Sequence, residues 1–367
     1  MAKVYFTDMR SRPKRNLLDK VEDLVSRLKL GRKVKKNDLV AIKLHFGELG
    51  NVAYLRPVFL RSVVKKVKEL GARPFLTDTN TLYTGSRSDA VTHITTAIHN
   101  GFDYSCVECP IVIAGGLRGL TGIKIPIKGG LLKEVTIARE IVEADSIIFM
   151  THFKGHELTG FGGALKNMGM GCATREGKLV QHSTVGPKVN VDLCKGCKLC
   201  MDYCPAKAIK LQAKKATIEG HTCIGCGECV GICPAQAIEI QWNEDPGNLQ
   251  KKMVEHALGV MKGREDKCFF LNFVMQVSPA CDCYGHNDAA IVRDIGMAAS
   301  SDPVSIDAAC SDLVNNEESM PGTAIKGLLA KGEDKWRAIY PSIDWNVQLD
   351  HAEKMGLGEK AYTLVKV

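Results

Sequence analysis

The feature that most constrains this chain is a duplicated string of cysteines. Cys194, Cys197, Cys200 and Cys204 lead into Pro205, and Cys223, Cys226, Cys229 and Cys233 lead into Pro234. Both copies read C-x2-C-x2-C-x3-C-P, and the second begins 29 residues after the first. That is the spacing of a pair of [4Fe–4S] clusters, in which the fourth cysteine of each string serves the other cluster. The expected ligand sets are therefore Cys194, Cys197, Cys200 and Cys233 for one cluster, and Cys223, Cys226, Cys229 and Cys204 for the second. Gly196, Gly225 and Gly227 lie between the ligands and permit the tight turns a thiolate loop needs. Paired zinc knuckles are the competing reading, but tetrahedral zinc sites account poorly for two CP terminators and a repeated string. Full cysteine ligation leaves no open iron, so the expected chemistry is one-electron transfer.

Fifteen cysteines in 367 residues, with no apolar leader at the N-terminus, argue for metal rather than disulfides and for a reducing cytoplasm. No run of 18 apolar residues exists, so no membrane partner is expected. The net charge of +8 is uneven: residues 1–72 carry 18 Lys/Arg against 7 Asp/Glu. The plain reading is a solvated basic face, and the sharper one is a docking surface for an acidic partner or a phosphorylated ligand. Nucleic acid is disfavoured, because no recognised motif accompanies the charge.

Outside the cysteine strings, strand and helix patterns alternate. Strands are expected at Lys3–Asp8, Leu39–Phe46, Pro74–Thr79 and Ser146–Thr151, and helices at Lys14–Leu30, Arg56–Leu70, Arg87–Asn100 and Val135–Glu143. After Pro246 the pattern returns, with a helix at Leu249–Met261, a strand at Cys268–Gln276 and a helix near Pro303–Asn315. The fold class is α/β, a mostly parallel sheet with helices on both faces. It is interrupted by an inserted α+β ferredoxin-like two-cluster module. The expected organisation is residues 1–186 as the first part of the α/β domain, 187–245 as the insertion and 246–367 as the second part.

Ligands of such sheets bind beyond the carboxyl ends of the strands. The polar residues placed there are His45 and Glu48, Asp78, His152 and His156, with Lys166 and His182 following in a glycine-rich stretch. Cys281 and Cys283 flank Asp282 after another strand, with His286 nearby. All nine, His45, Glu48, Asp78, His152, His156, Lys166, His182, Cys281 and Cys283, are candidates for catalysis. Cys281 and Cys283 are also candidates for a second site holding a further metal or an organic cofactor. Lys166, if close, would instead lower a cysteine's pKa. Cys106, Cys172, Cys268 and Cys310 read as buried free thiols, and Cys106-x-x-Cys109 as an isolated pair.

The stretches IKLHFGELGNVAYLRP, PFLTDTNTLYTGSRSDA, THFKGHELTGFGGALKNMGMGCA and SPACDCYGHNDAAIVRDIGMAASSDPVSIDAA resemble the family filed as domain of unknown function 362, in its ferredoxin-containing form. The resemblance covers nearly the whole chain. It implies a cytoplasmic prokaryotic iron–sulfur protein and supplies no reaction. The expectation is an iron–sulfur electron-transfer protein or oxidoreductase, relaying electrons to a pocket on the α/β domain, with a redox partner protein and a small-molecule substrate. The alternatives are a non-catalytic redox subunit that docks to a partner enzyme, and a metal or cofactor maturation factor.

Overall fold

A computed structural model describes residues 1–367. Seven strands build one sheet: β1 (Ala2–Asp8), β2 (Leu39–Lys43), β3 (Arg73–Thr77), β4 (Ser146–His152), β5 (Cys268–Val274), β6 (Gly296–Ser300) and β7 (Tyr362–Lys366). Their spatial order is β7-β1-β6-β5-β4-β2-β3. Only β6 runs against its neighbours; every other pairing is parallel. Segments on both sides of the cysteine strings therefore share one hydrogen-bonded sheet.

The central strands alternate between two cores because both faces are covered. In β4, Ile147 and Phe149 join the larger core, while Ile148 and Met150 join the other. Under the first face lie α4 (Ala164–Gly169), α6 (Pro246–Met261) and α7 (Pro303–Asn315). Under the second lie α1 (Leu17–Arg27), α2 (Leu60–Glu69) and α3 (Ala90–His99). Their ends follow local chemistry. Asn16 and Asp19 form a reciprocal cap on α1, and Asp302 with Pro303 starts α7.

Val135–Glu143, expected as a helix, is instead a strand and one helical turn. Glu134–Ala138 pairs antiparallel with Gly122–Pro126, and only Arg139–Glu143 is helical. The β-branched run Val135-Thr136-Ile137 explains it, since Val135 and Ile137 turn inward together at a period of two. The C-terminal strand β7 and the antiparallel β6 carried no clear signal, being short and flanked by polar loops.

Residues 188–239 form two small ribbons, Ile209–Gln212 with Lys215–Ile218 and Lys188–Val189 with Ile238–Glu239, and two short helices, Leu199–Asp202 and Glu228–Ile232. Their apolar cluster includes Leu82 and Leu179 from the α/β part. The two ends of this segment leave side by side, because Lys188–Val189 pairs with Ile238–Glu239 and Gln241 Nε2 donates to the Gly186 carbonyl at 3.0 Å. No helix is long and apolar enough to cross a membrane.

Adjacent ends make excision a direct test. Replacing 187–245 with a short Gly/Ser bridge should leave a soluble chain with a cooperative unfolding transition, because the sheet keeps both of its cores. Loss of cooperative unfolding, followed by circular dichroism, would show that the sheet depends on the segment.

Candidate functional site

The carboxyl ends of β2, β3, β4 and β5 open into one cavity of about 660 Å³. Each strand contributes polar groups as it leaves the sheet, where apolar packing no longer dictates sequence. Lys43 ends β2, with His45 and Glu48 beyond it; Asp78, Tyr83 and Arg87 follow β3; His152 ends β4, and Lys154, His156 and Glu157 follow it. The helices α4 and α5 (Arg175–His182) add Lys166 and Lys178, with His182 at the end of α5. The loop after β5 adds Cys283.

Buried charges here are paired. Lys43 Nζ lies 2.9 Å from Asp78 Oδ1, with both side chains almost wholly buried. Arg87 bridges Asp78 Oδ2 at 3.4 Å and Glu48 Oε2 at 3.3 Å, and donates to the Tyr83 hydroxyl at 2.7 Å. Burial works to raise the Asp78 carboxyl, but Lys43, His93 and Arg87 overcome it and leave the group below its usual range. Lys178 donates to Thr79 Oγ1 at 2.6 Å and to the Asn80 carbonyl at 2.5 Å. Burial pushes its pKa down to about 7, against the pull of Asp78.

The Cys281–Cys283 loop meets the segment after β4 directly. Asp282, fully buried, takes His152 Nδ1 at 2.8 Å and Lys154 Nζ at 3.2 Å. Those partners outweigh the burial penalty and hold its carboxyl well below the usual range. The second ring nitrogen of His152 lies 2.9 Å from the Met275 carbonyl, so both nitrogens are occupied in fixing this loop. Gly155 allows the approach: its amide donates to the Ser278 carbonyl at 2.8 Å, and a Cβ there would sit 2.1 Å from the Pro279 carbonyl.

The two thiols form a unit. Cys281 Sγ lies 2.7 Å from Cys283 Sγ and 3.3 Å from Lys166 Nζ. The hydrogen bond from the Cys283 thiol, helped by Lys166 and Lys154, holds Cys281 well below the usual thiol range despite burial. The same bond raises Cys283. The Cys281 charge in turn lifts Lys166 against burial. Burial keeps His45 and His156 well below the usual imidazole range, and pushes His182 down to about 4.

The structure thus gathers His45, Glu48, Asp78, His152, His156, Lys166, His182 and Cys283 around one cavity, with Cys281 immediately behind Cys283. His286 does not join them; it is exposed and packs its ring on Tyr284. Cys109 is buried elsewhere, its thiol pushed up to about 12 by burial, and Cys106 is half-buried. Sequence reasoning missed Tyr83, Arg87, Lys178 and Trp242. Lys43, Lys154 and Glu157 stood in polar stretches placed at this end of the sheet without being singled out as catalytic.

None of the fifteen cysteines is joined in a disulfide. Cys200 sits among Cys194, Cys197 and Cys233, and Cys226 near Cys204 and Cys223. Cys229 is surrounded by Cys226, Cys223, Cys200 and Cys204. Backbone amides point at the sulfurs: Ala208 at Cys204 (3.3 Å), Ala216 at Cys194 (3.4 Å) and Ala237 at Cys233 (3.2 Å). No three His, Cys, Asp or Glu side chains converge as a single bound ion would need. The Cys223–Cys229 loop rests on α5. A Cβ at Gly225 would meet Leu179, one at Gly227 would meet Leu82, and Arg175 lies beside Glu228, Cys229 and Cys226. The His182 ring meets the Trp242 ring edge-on at 5.1 Å.

A family profile described as domain of unknown function (DUF362) matches residues 40–312. No curated protein matches the chain. Among solved structures, the lactate racemase apoprotein from Thermoanaerobacterium thermosaccharolyticum aligns at 14% identity with a TM-score of 0.40, over 83% of this chain and 57% of that one.

Two outcomes follow from this geometry. Gly155→Ala should cost about 1–3 kcal/mol, because its Cβ must displace the Pro279 carbonyl; an unchanged melting temperature would contradict the close approach. His182 is held neutral, with a folded pKa of about 4 against 6.5 for the free side chain. The unfolded chain therefore takes up the proton first. Stability from His182 is complete above about pH 6.5 and falls as the pH drops toward 4. Urea unfolding at pH 7 and pH 5 should show a smaller acid loss for His182→Gln than for the parent, and equal losses would contradict the assignment.

Proposed function

We propose, from the premise that this chain belongs to the DUF362 family, that it is an iron–sulfur redox protein. In this reading residues 187–245 are a ferredoxin-like insertion with two [4Fe–4S] clusters, and a ligand in the α/β cavity exchanges electrons with it. The cysteine sets carry the donor chemistry: Cys200 lies among Cys194, Cys197 and Cys233, as one ligand set requires. Cys226 and Cys229 both have Cys223 and Cys204 as neighbours, as the other set requires. Three amide-to-sulfur contacts supply hydrogen bonds of the kind that tune cluster potential. When bound, each cluster supplies one-electron transfer.

The single observation that carries the link to the cavity is the double use of α5. Leu179 and Arg175 face the Cys223–Cys229 loop, while Lys178 and His182, on the same eight-residue helix, line the cavity. One helix separates the thiolate loop from the ligand space. The residues around that space have defined tasks. Asp282, His152 and Lys154 fix the thiol loop, and the Lys43–Asp78–Arg87 network fixes the opposite wall. Lys178 Nζ, with its pKa near 7, can hold or release a proton at neutral pH. Cys197, the exposed member of its set, marks where an external redox protein would approach.

Protein purified without oxygen should contain about eight iron and eight sulfide and bleach with dithionite. Cys200→Ser should lose about half of the iron. Stoichiometric zinc with no visible charge-transfer absorption would overturn the reading.

A further inference from the structure

The thiol pair has a geometry that the electron-relay reading does not use. Cys283 lines the cavity, and Cys281 lies fully buried behind it with the sulfurs 2.7 Å apart. A disulfide has an S–S bond of about 2.05 Å, so closure needs a movement of less than about 1 Å. Beside the pair stands a cation, Lys166 Nζ, at 3.3 Å from Cys281. The loop is clamped at Asp282 and at the Cys283 carbonyl, which accepts from the Tyr83 hydroxyl at 2.9 Å.

We infer that Cys281 and Cys283 are a redox-active dithiol that reduces a small disulfide bound in the cavity. Cys283, the accessible member, passes its proton to the Cys281 thiolate and attacks one substrate sulfur. A Cys283–substrate bond forms, the substrate S–S bond breaks, and the first thiol leaves with the proton the pair held. The Cys281 thiolate then attacks Cys283 Sγ and expels the second thiol, which takes a proton from Lys166. The products are two thiols, a Cys281–Cys283 disulfide and neutral Lys166. Return to the dithiol consumes two electrons and two protons; the electrons come from one-electron carriers of the class proposed above. Only this return step rests on that reading.

The forward step is testable in a single turnover of the full chain. Anaerobic protein is reduced with dithionite, freed of reductant, mixed with 3,3′-dithiodipropionate, then denatured and alkylated. Trypsin releases Cys268–Arg293, which holds Cys268, Cys281 and Cys283. The peptide should carry one alkyl group in place of three, and Cys281→Ser should trap the substrate half on Cys283. Three alkyl groups after treatment would overturn the dithiol, whether or not the variant folds. Restoration of the dithiol by fresh dithionite reads the electron supply separately: its failure would count against the proposed function and leave the forward exchange standing.

Discussion

Charge taken out of water must be matched, and the cavity of this protein is built on that requirement. Lys43 is buried because Asp78 is beside it, and Asp78 can stay ionised because Arg87 closes the other side. On the facing wall Asp282 is fully buried between His152 and Lys154, and Lys166 stands against a thiol. Breaking one such pair strands a buried charge, which costs about 3–5 kcal/mol. The loops leaving four different strands are thereby tied together. The backbone agrees: the Glu48 amide donates to the Asp282 carbonyl at 3.0 Å, joining the loop after β2 to the loop after β5.

That fixed floor gives the rest its meaning. The residue between the two thiols is held by His152 and by the ion pair with Lys154, which fixes the loop that carries both sulfurs. The neutral histidines around it follow from the same surroundings. Burial and nearby cations disfavour a further positive charge at His45 and His156. The cavity is thus a place where protons are held at stated positions, while electrons, in the proposed reading, arrive through α5.

Much of the α/β pattern was legible because strands and helices here keep clean periods. Pro303–Asn315 is bounded by Asp302 and Pro303, and its extent in the structure is the one its sequence indicates. The convergence of His45, Asp78, His152 and Cys283 was legible too, since parallel strands deliver their ends to one edge. Arg87 and Lys178 were not, because a charged residue in a polar turn or on a helix normally faces solvent. Nothing local says that Arg87 will find Glu48, thirty-nine positions away, or that Lys178 will find the backbone after β3. Val135–Glu143 misled for the opposite reason. Its apolar residues satisfy a helical template, and only the partner strand at Gly122–Pro126 decides the matter.

The central claim is that the cysteine strings hold iron beside α5. Crystals grown without oxygen, with diffraction recorded on either side of the iron absorption edge, test it most directly. The account predicts two separate iron peaks, one enclosed by Cys194, Cys197, Cys200 and Cys233 and one by Cys204, Cys223, Cys226 and Cys229, with the second lying against Leu179. Zinc peaks at those sulfurs, or iron bound only at Cys281 and Cys283, would contradict it.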